Sequence, residues 1–417
     1  MIQSLKKMWK IEDLRKKLLY TFGMLILFRL VGVIPAPGVD IAKVMSQSNA
    51  DTLPLLELVN MMTGNAFSQM TIMAMGITPY INASIIMQLL CIAIPALERM
   101  QKEEDGREKV ARITRYVTVG LAAVQAIGLV GGLGYTKAGW FNSVLVGVSM
   151  AGGSALAMWI GEKITEKGIG NGISLLIFAG IVANLSSQIF IYFKNITLGT
   201  IQIWQTLIVL LISLVMIVGV VLVDMGERRI PVQYAKRMVG RKMYGGQSTH
   251  IPLKVNASGV LPLIFASALM QFPNMIITAL GETNKVRIWW EGFYGTSAGY
   301  IIIFALLILG FTFFYNSISF NPIEISKNLQ QNGGMIPGIR QGKPTSDFIA
   351  KISSRITLFG ALFLALLATL PTIFWGLVGV SLPLVASSLL IAVSVAIETM
   401  RQLESQMTMR HYKGFLK

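Results

Sequence analysis

The chain has 417 residues, is 53% hydrophobic and 13% charged, and carries a formal net charge of +16. Soluble domains carry about 25% charged residues, so this composition argues against a soluble domain and for a polytopic membrane protein. Cys91 is the only cysteine, and His250 and His411 lie far apart outside the apolar runs. A disulfide framework and a Cys-based metal site are excluded, and no metal or cofactor is expected.

In chain order, the basic start "MIQSLKKMWKIEDLRKK" runs into an apolar stretch with no small-residue cleavage site. It reads as an uncleaved first span, not a signal peptide. Uncharged runs long enough for a bilayer, about 20 residues each, predict spans at 18–34, 72–97, 113–133, 144–161, 172–192, 201–223, 257–280, 299–316, 356–376 and 382–400. The last two share one uncharged run of 42 residues, 356–397. As helix it would measure about 63 Å, enough for two crossings of a ~30 Å core. "WGLVGVSLP" (375–383) supplies the turn between them.

Ten spans put both termini on one side. With the termini inside, the inside segments hold 30 of the 36 Lys and Arg residues. The outside connections hold Lys43, Lys137, Lys194, Lys285 and Arg287, and Arg29 falls within span 1. That bias predicts cytoplasmic termini.

"GITPYINAS" (76–84) and "GVLPLIFAS" (259–267) both read G-x-x-P-x-I-x-A-S, 183 residues apart. One lies in span 2 and the other in span 7, so the two spans cross in opposite directions. This is the pattern of an inverted-topology repeat, with halves at 1–192 and 201–400 and a tail at 401–417. Pro79 and Pro262 are expected to break the backbone ladder, and Gly76 and Gly259 to allow close approach. Polar-flecked irregular backbone at membrane depth suits a water-filled path. Close helix packing at small residues is the plainer reading of either span alone.

Apart from Glu57, ahead of span 2, no Asp, Glu or His lies in the middle of a span. No coupling-ion site of the kind transporters need is therefore evident. Arg29 is expected to pair with a carboxylate or to snorkel. Ile77 and Ile81, and Ile173 and Ile177, fall on one helix face each. Such residues either pack or form a hydrophobic constriction that seals by dewetting. Segments 224–256 and 317–355 are long, basic and rich in turn residues. They suit either an anionic lipid surface or docking of a large partner rich in phosphate or carboxylate. No P-loop pattern is present, so ATP hydrolysis by the chain is not expected.

The motifs "GITPYINASIIMQLL", "EKGIGNGISLLIFAGIV", "RRIPVQYAKR", "QSTHIPLKVNASGVLPLIFAS" and "IPGIRQGKPT" closely resemble the SecY family of bacterial protein-translocation channels, from the first span to the last. The resemblance implies an all-α polytopic fold of ten transmembrane helices in two inverted halves around an hourglass pore. It implies a protein-conducting channel rather than an enzyme, in the bacterial plasma membrane. By motif position the pore ring would be Ile77, Ile81, Ile173, Ile177, Ile264 and Ile391. The stretch "VNMMTGNAFSQM" (59–70) matches the plug, a short helix, with Asn60, Gly64, Asn65, Ser68 and Gln69. The family often carries a charged plug residue where Gln69 stands, which puts a plug salt bridge in doubt. Asn82, Gln88, Gln125 and Phe272 match the lateral gate between spans 2–3 and 7–8. Arg340 and Lys343 match the loop that engages the motor ATPase SecA. Arg241 and Lys242 match a second docking loop shared by SecA and the ribosome. The implied partners are SecE and SecG subunits, SecA, the ribosome, signal peptides, precursor proteins and anionic lipids. An inverted-repeat secondary transporter is the alternative reading.

Overall fold

The computed structural model describes residues 11–40, 63–133, 140–199, 202–234, 237–239, 242–244, 248–278, 285, 289–290, 297–378 and 386–414. Among the described residues every predicted span overlaps a helix. The helices are α1 (Glu12–Val31), α2 (Thr78–Ala93), α3 (Pro95–Lys102), α4 (Glu104–Leu133), α5 (Trp140–Lys167) and α6 (Gly172–Thr197). They continue with α7 (Ile203–Met225), α8 (Leu261–Thr278), α9 (Ser297–Ser319), α10 (Pro322–Gln331), α11 (Lys343–Val378) and α12 (Ala386–Gly414). Among the described residues, α5, α6, α7, the α9 region and α11 are long and apolar enough to cross a membrane alone, and α2 with α3 makes a sixth as a bent pair. The expected turn at 375–383 falls largely outside the described residues.

Two expectations for spans 2 and 7 are corrected. Pro79 and Pro262 do not interrupt helices; each is the second residue of its helix, α2 or α8. There a missing N–H costs nothing, because first-turn amides have no intrahelical acceptor. Span 2 is also shorter than 72–97, since residues 71–77 run mostly as turns and α2 starts at Thr78. At the far end Ile94, extended as the residue before Pro95, turns the chain by 110° into α3.

The chain divides into two compact units: Met1–Ile201 with Ala268–Trp290 and Ile391–Lys417, and Gln202–Ser267 with Glu291–Leu390. In the first, α4 packs along α5 and α2, and α5 packs on α6 and α1. Its core holds Phe67, Met70, Ala74 and Met75 against Ala126 of α4 and Val146 and Met150 of α5. In the second, α9 packs along α11.

The all-α expectation needs one addition. Segment 224–256 forms β1 (Glu227–Tyr234), β2 (Arg237–Val239), β3 (Lys242–Tyr244) and β4 (Ser248–Lys254). β1 pairs antiparallel with β4, from Glu227↔Lys254 to Gln233↔Ser248. β5 (Gly334–Met335), from the other long loop, joins the far side of β1 at Gln233 and Tyr234 only. Pro231 stands opposite His250 of β4, at a point of β1 that β5 does not reach, and proline fits a strand where one side is open. Alternation produces the strand: Ile230 and Val232 are buried with Leu253, Leu329, Ile336 and Ile349, between exposed neighbours.

Candidate functional site

The repeat is visible in the backbone. Gly76 has φ +51 and Gly259 has φ +61, each two residues before a helix whose second residue is proline. Two sequence-matched motifs therefore fold into the same left-handed step and helix start. The step places Ile77 at the N-cap of α2 and Ile81 on its first turn, and Ile264 on the first turn of α8.

Ile77, Ile81, Ile177 and Ile391 are buried, while Ile173 and Ile264 are half-buried. Ile173 and Ile177 lie at the start of α6, where the Asn171 side chain accepts from the Ile173 and Ser174 amides and fixes the helix start. Ile391 lies on α12. Ile264 belongs to the second compact unit and the other five to the first.

The stretch matched to the plug is helical only at Thr63 among its described residues; 64–70 form successive turns. Residues 64–70 thus hold no helix, and 59–62 of the matched stretch lie outside the described residues. The cause is backbone: Gly64 (φ +64) and Asn65 (φ +70) are both left-handed, which no α-helix accommodates. Asn tolerates that region better than most side chains. Ala66, Phe67 and Met70 point into the core, and Ser68 and Gln69 are exposed. Gln69 donates its backbone N–H to the Asn65 carbonyl at 3.3 Å. Thr63 rests on Gly76, the residue before Ile77: a Cβ on Gly76 would lie 2.7 Å from Thr63 Cγ2. Asn60 lies outside the described residues.

Two side chains from the spans reach this turn. Arg29 Nη1, on the last turn of α1, donates to the Gly64 carbonyl at 3.4 Å. Asn184 Nδ2, on α6, donates to Asn65 Oδ1 at 2.6 Å. Among the described residues Arg29 thus pairs with a carbonyl, where a carboxylate partner or snorkelling was expected. Asn184 is a residue the sequence reading does not single out, although an amide in the interior of span 5 is the signal that could have found it.

Of the gate residues, Asn82 and Gln125 are buried on α2 and α4, and Gln88 is exposed on α2. The buried Asn82 Oδ1 and Thr78 Oγ1, one turn apart, have no hydrogen-bond partner among the described residues. Phe272 lies on α8, and its side chain is outside the description.

At the tip of the second long loop, Arg340 and Lys343 are exposed. Their backbone is pinned from three sides. Thr345 Oγ1 donates to the Arg340 carbonyl at 2.7 Å, Ser326 Oγ to the Gly342 carbonyl at 2.7 Å, and Gln341 Nε2 to the Gly334 carbonyl at 3.0 Å. Arg241 lies outside the described residues, and Lys242 is on β3 with its side chain outside the description. No cluster of His, Cys, Asp or Glu fit for a metal occurs among the described residues.

The SecY family model matches residues 71–400. The Protein translocase subunit SecY of Streptomyces coelicolor is 43% identical over the whole of both chains. The chain belongs to the SecY family. Its fold is that of solved SecY and Sec61 channels. One is a SecY protein whose plug domain is described as stabilizing the closed state of the translocation channel and maintaining a membrane seal. It matches at TM-score 0.65 and 20% identity, over 94% of this chain and 92% of that one. Another is Sec61 in a canine ribosome–channel complex, at TM-score 0.65 and 18% identity, over 94% and 93% of the two chains.

Proposed function

We propose that the chain is a protein-conducting channel that passes unfolded polypeptides across the bacterial plasma membrane and releases apolar segments sideways into lipid. The observation that carries this reading is SecY-family membership over nearly the whole chain, including the paired Gly-x-x-Pro-x-Ile motifs. Family membership also sets aside the secondary-transporter alternative and an enzymatic role.

The six isoleucines are the constriction of the path. Branched alkyl side chains exclude water when they meet and offer a moving polypeptide no polar group to bind, so the seal depends on dewetting and not on sequence. The 63–70 turn stands beside Ile77 as the plug. Asn82, Gln88, Gln125 and Phe272 line the lateral exit. An apolar signal segment leaves through it because each buried CH₂ favours lipid by about 0.8 kcal/mol. The channel supplies no energy, so a motor or a ribosome must push. The tips carrying Arg340 and Lys343, and Arg241 and Lys242, are the docking points for SecA and the ribosome. SecE and SecG complete the complex, anionic lipid headgroups meet the basic rim, and both termini face the cytoplasm.

The test is reconstitution of the chain with SecE and SecG in proteoliposomes, with SecA and ATP added. Protease-protected precursor should accumulate inside. Accumulation independent of this chain, or ion-coupled uptake of a small solute by it, would overturn the reading.

A further inference from the structure

We propose that Arg29 and Asn184 are positioning residues that latch the plug turn in its sealing place. The proposal rests on reading the 63–70 turn as the plug. The two ties reach consecutive plug residues from two different spans: the α1 guanidinium to the Gly64 carbonyl, and the α6 amide to the Asn65 side chain.

The surroundings are built for this contact. A Cβ on Gly64 would run into Arg29 Nη1 and lie 3.1 Å from the Gly180 carbonyl of α6. Glycine is therefore required twice at position 64, for its positive φ and for the space the guanidinium occupies. Asn184 is only 2% exposed. Downstream the chain is held differently. Ala36 N–H donates to the Met70 carbonyl at 3.1 Å and Ile72 N–H to the Ile34 carbonyl at 2.9 Å, while Ala66, Phe67 and Met70 are buried. Residues 66–70 are thus the anchored base of the plug turn. The polar latch acts at 64–65, where the turn rises from that base.

The physics makes the latch self-releasing. Arg29 and Gly64 are half-buried and their contact is long, so the tie is worth most when the turn's open side is dry. Once water enters beside the turn, both the guanidinium and the carbonyl gain other partners, and the tie loses most of its value. A closed, dry channel holds its plug firmly, whereas a wetted one lets it go. Opening is thereby cooperative with hydration.

The experiment is planar-bilayer conductance of the complex without a client. Arg29→Met should raise resting open probability about ten-fold, equivalent to about 1.4 kcal/mol. Arg29→Lys, which still donates to a carbonyl, should raise it less. Gly64→Ala displaces the guanidinium with Arg29 intact and should match Arg29→Met. Asn65→Gly removes the acceptor of Asn184 while tolerating the left-handed backbone, and should give a smaller rise. The control is deletion of 60–65, which leaves the buried Phe67 and Met70. In that background Arg29→Met should add nothing. A leaky deletion beside a tight, folded Arg29→Met would overturn the latch and leave the plug standing. A tight deletion would instead overturn the plug reading. An equal added leak from Arg29→Met in both backgrounds would assign Arg29 to the frame and overturn the latch.

Discussion

Thr345→Val removes one hydroxyl, nearly preserves shape, and tests whether the Arg340 tip is preorganised. Thr345 is 3% exposed, and its Oγ1 donates to the Arg340 carbonyl at 2.7 Å. Its backbone N–H, bonded to the Gly342 carbonyl at 3.1 Å, is untouched by the substitution. Net loss of such a bond costs about 1 kcal/mol. Ordering the tip costs about 1–2 kcal/mol per residue. The three side-chain pins only offset that cost, so loss of one should be felt nearly in full. If SecA docks only on the pinned tip, apparent affinity scales with the pinned fraction. For a tip balanced between pinned and free, about 1 kcal/mol then corresponds to a roughly three-fold rise in apparent Kd. The assay is SecA titration of reconstituted channels, reading binding and translocation rate together. The rate at saturating SecA should be unchanged, because docking alone is impaired, and Thr345→Ser should behave as the parent. Unaltered affinity would refute preorganisation. A reduced rate at saturating SecA would show that the hydroxyl matters beyond docking.

Replacing both Ile81 and Ile264 with Asn should wet the constriction, raising bilayer conductance and admitting precursors with defective signal sequences; parental conductance in a well-folded double variant counts against the ring. Arg340→Glu should stop SecA-driven uptake into proteoliposomes with pore conductance intact. Arg340→Lys should keep partial activity, because an ammonium cannot reproduce the paired bonds of a guanidinium; equal sensitivity at Lys343 would favour simple lipid attraction instead. Ile349→Ala, at a residue with no exposed surface, should cost about 2–5 kcal/mol. It should lower thermal stability and increase hydrogen exchange in both β1 and β5; a change confined to one of the two strands would refute a shared core.

Apolar patterning revealed the helices, because a bilayer demands long uncharged runs and little else in this chain could supply them. The Gly-x-x-Pro-x-Ile repeat was legible for the same reason: glycine and proline constrain the backbone wherever they stand, so matched motifs gave matched φ and matched helix starts. Reading those prolines as breaks failed because proline in a first turn is silent, and the sequence does not mark which residue opens a helix. The sheet was hidden by the prolines of "RRIPVQY" and "THIPLK", which speak against strands until the free side of β1 is known. Asn184 was hidden because its partner lies 119 positions away in sequence. Arg29 was visible as an anomaly, but its acceptor, a backbone carbonyl, is present at every residue and leaves no sequence mark.

The sheet changes how the two long loops are to be understood. β1 and β4 come from the loop after α7, and β5 from the loop after α9, so the strands that share hydrogen bonds belong to both. Their buried faces meet Ile349 on α11, the helix that begins at Lys343 beside the docking tip and runs 36 residues. At 1.5 Å per residue that helix is about 54 Å long. A partner docked at Arg340, as proposed above, would sit three residues from the start of the helix that becomes span 9. The two long loops, independent along the chain, are thus joined through one sheet, and a core substitution beneath it should disturb both at once.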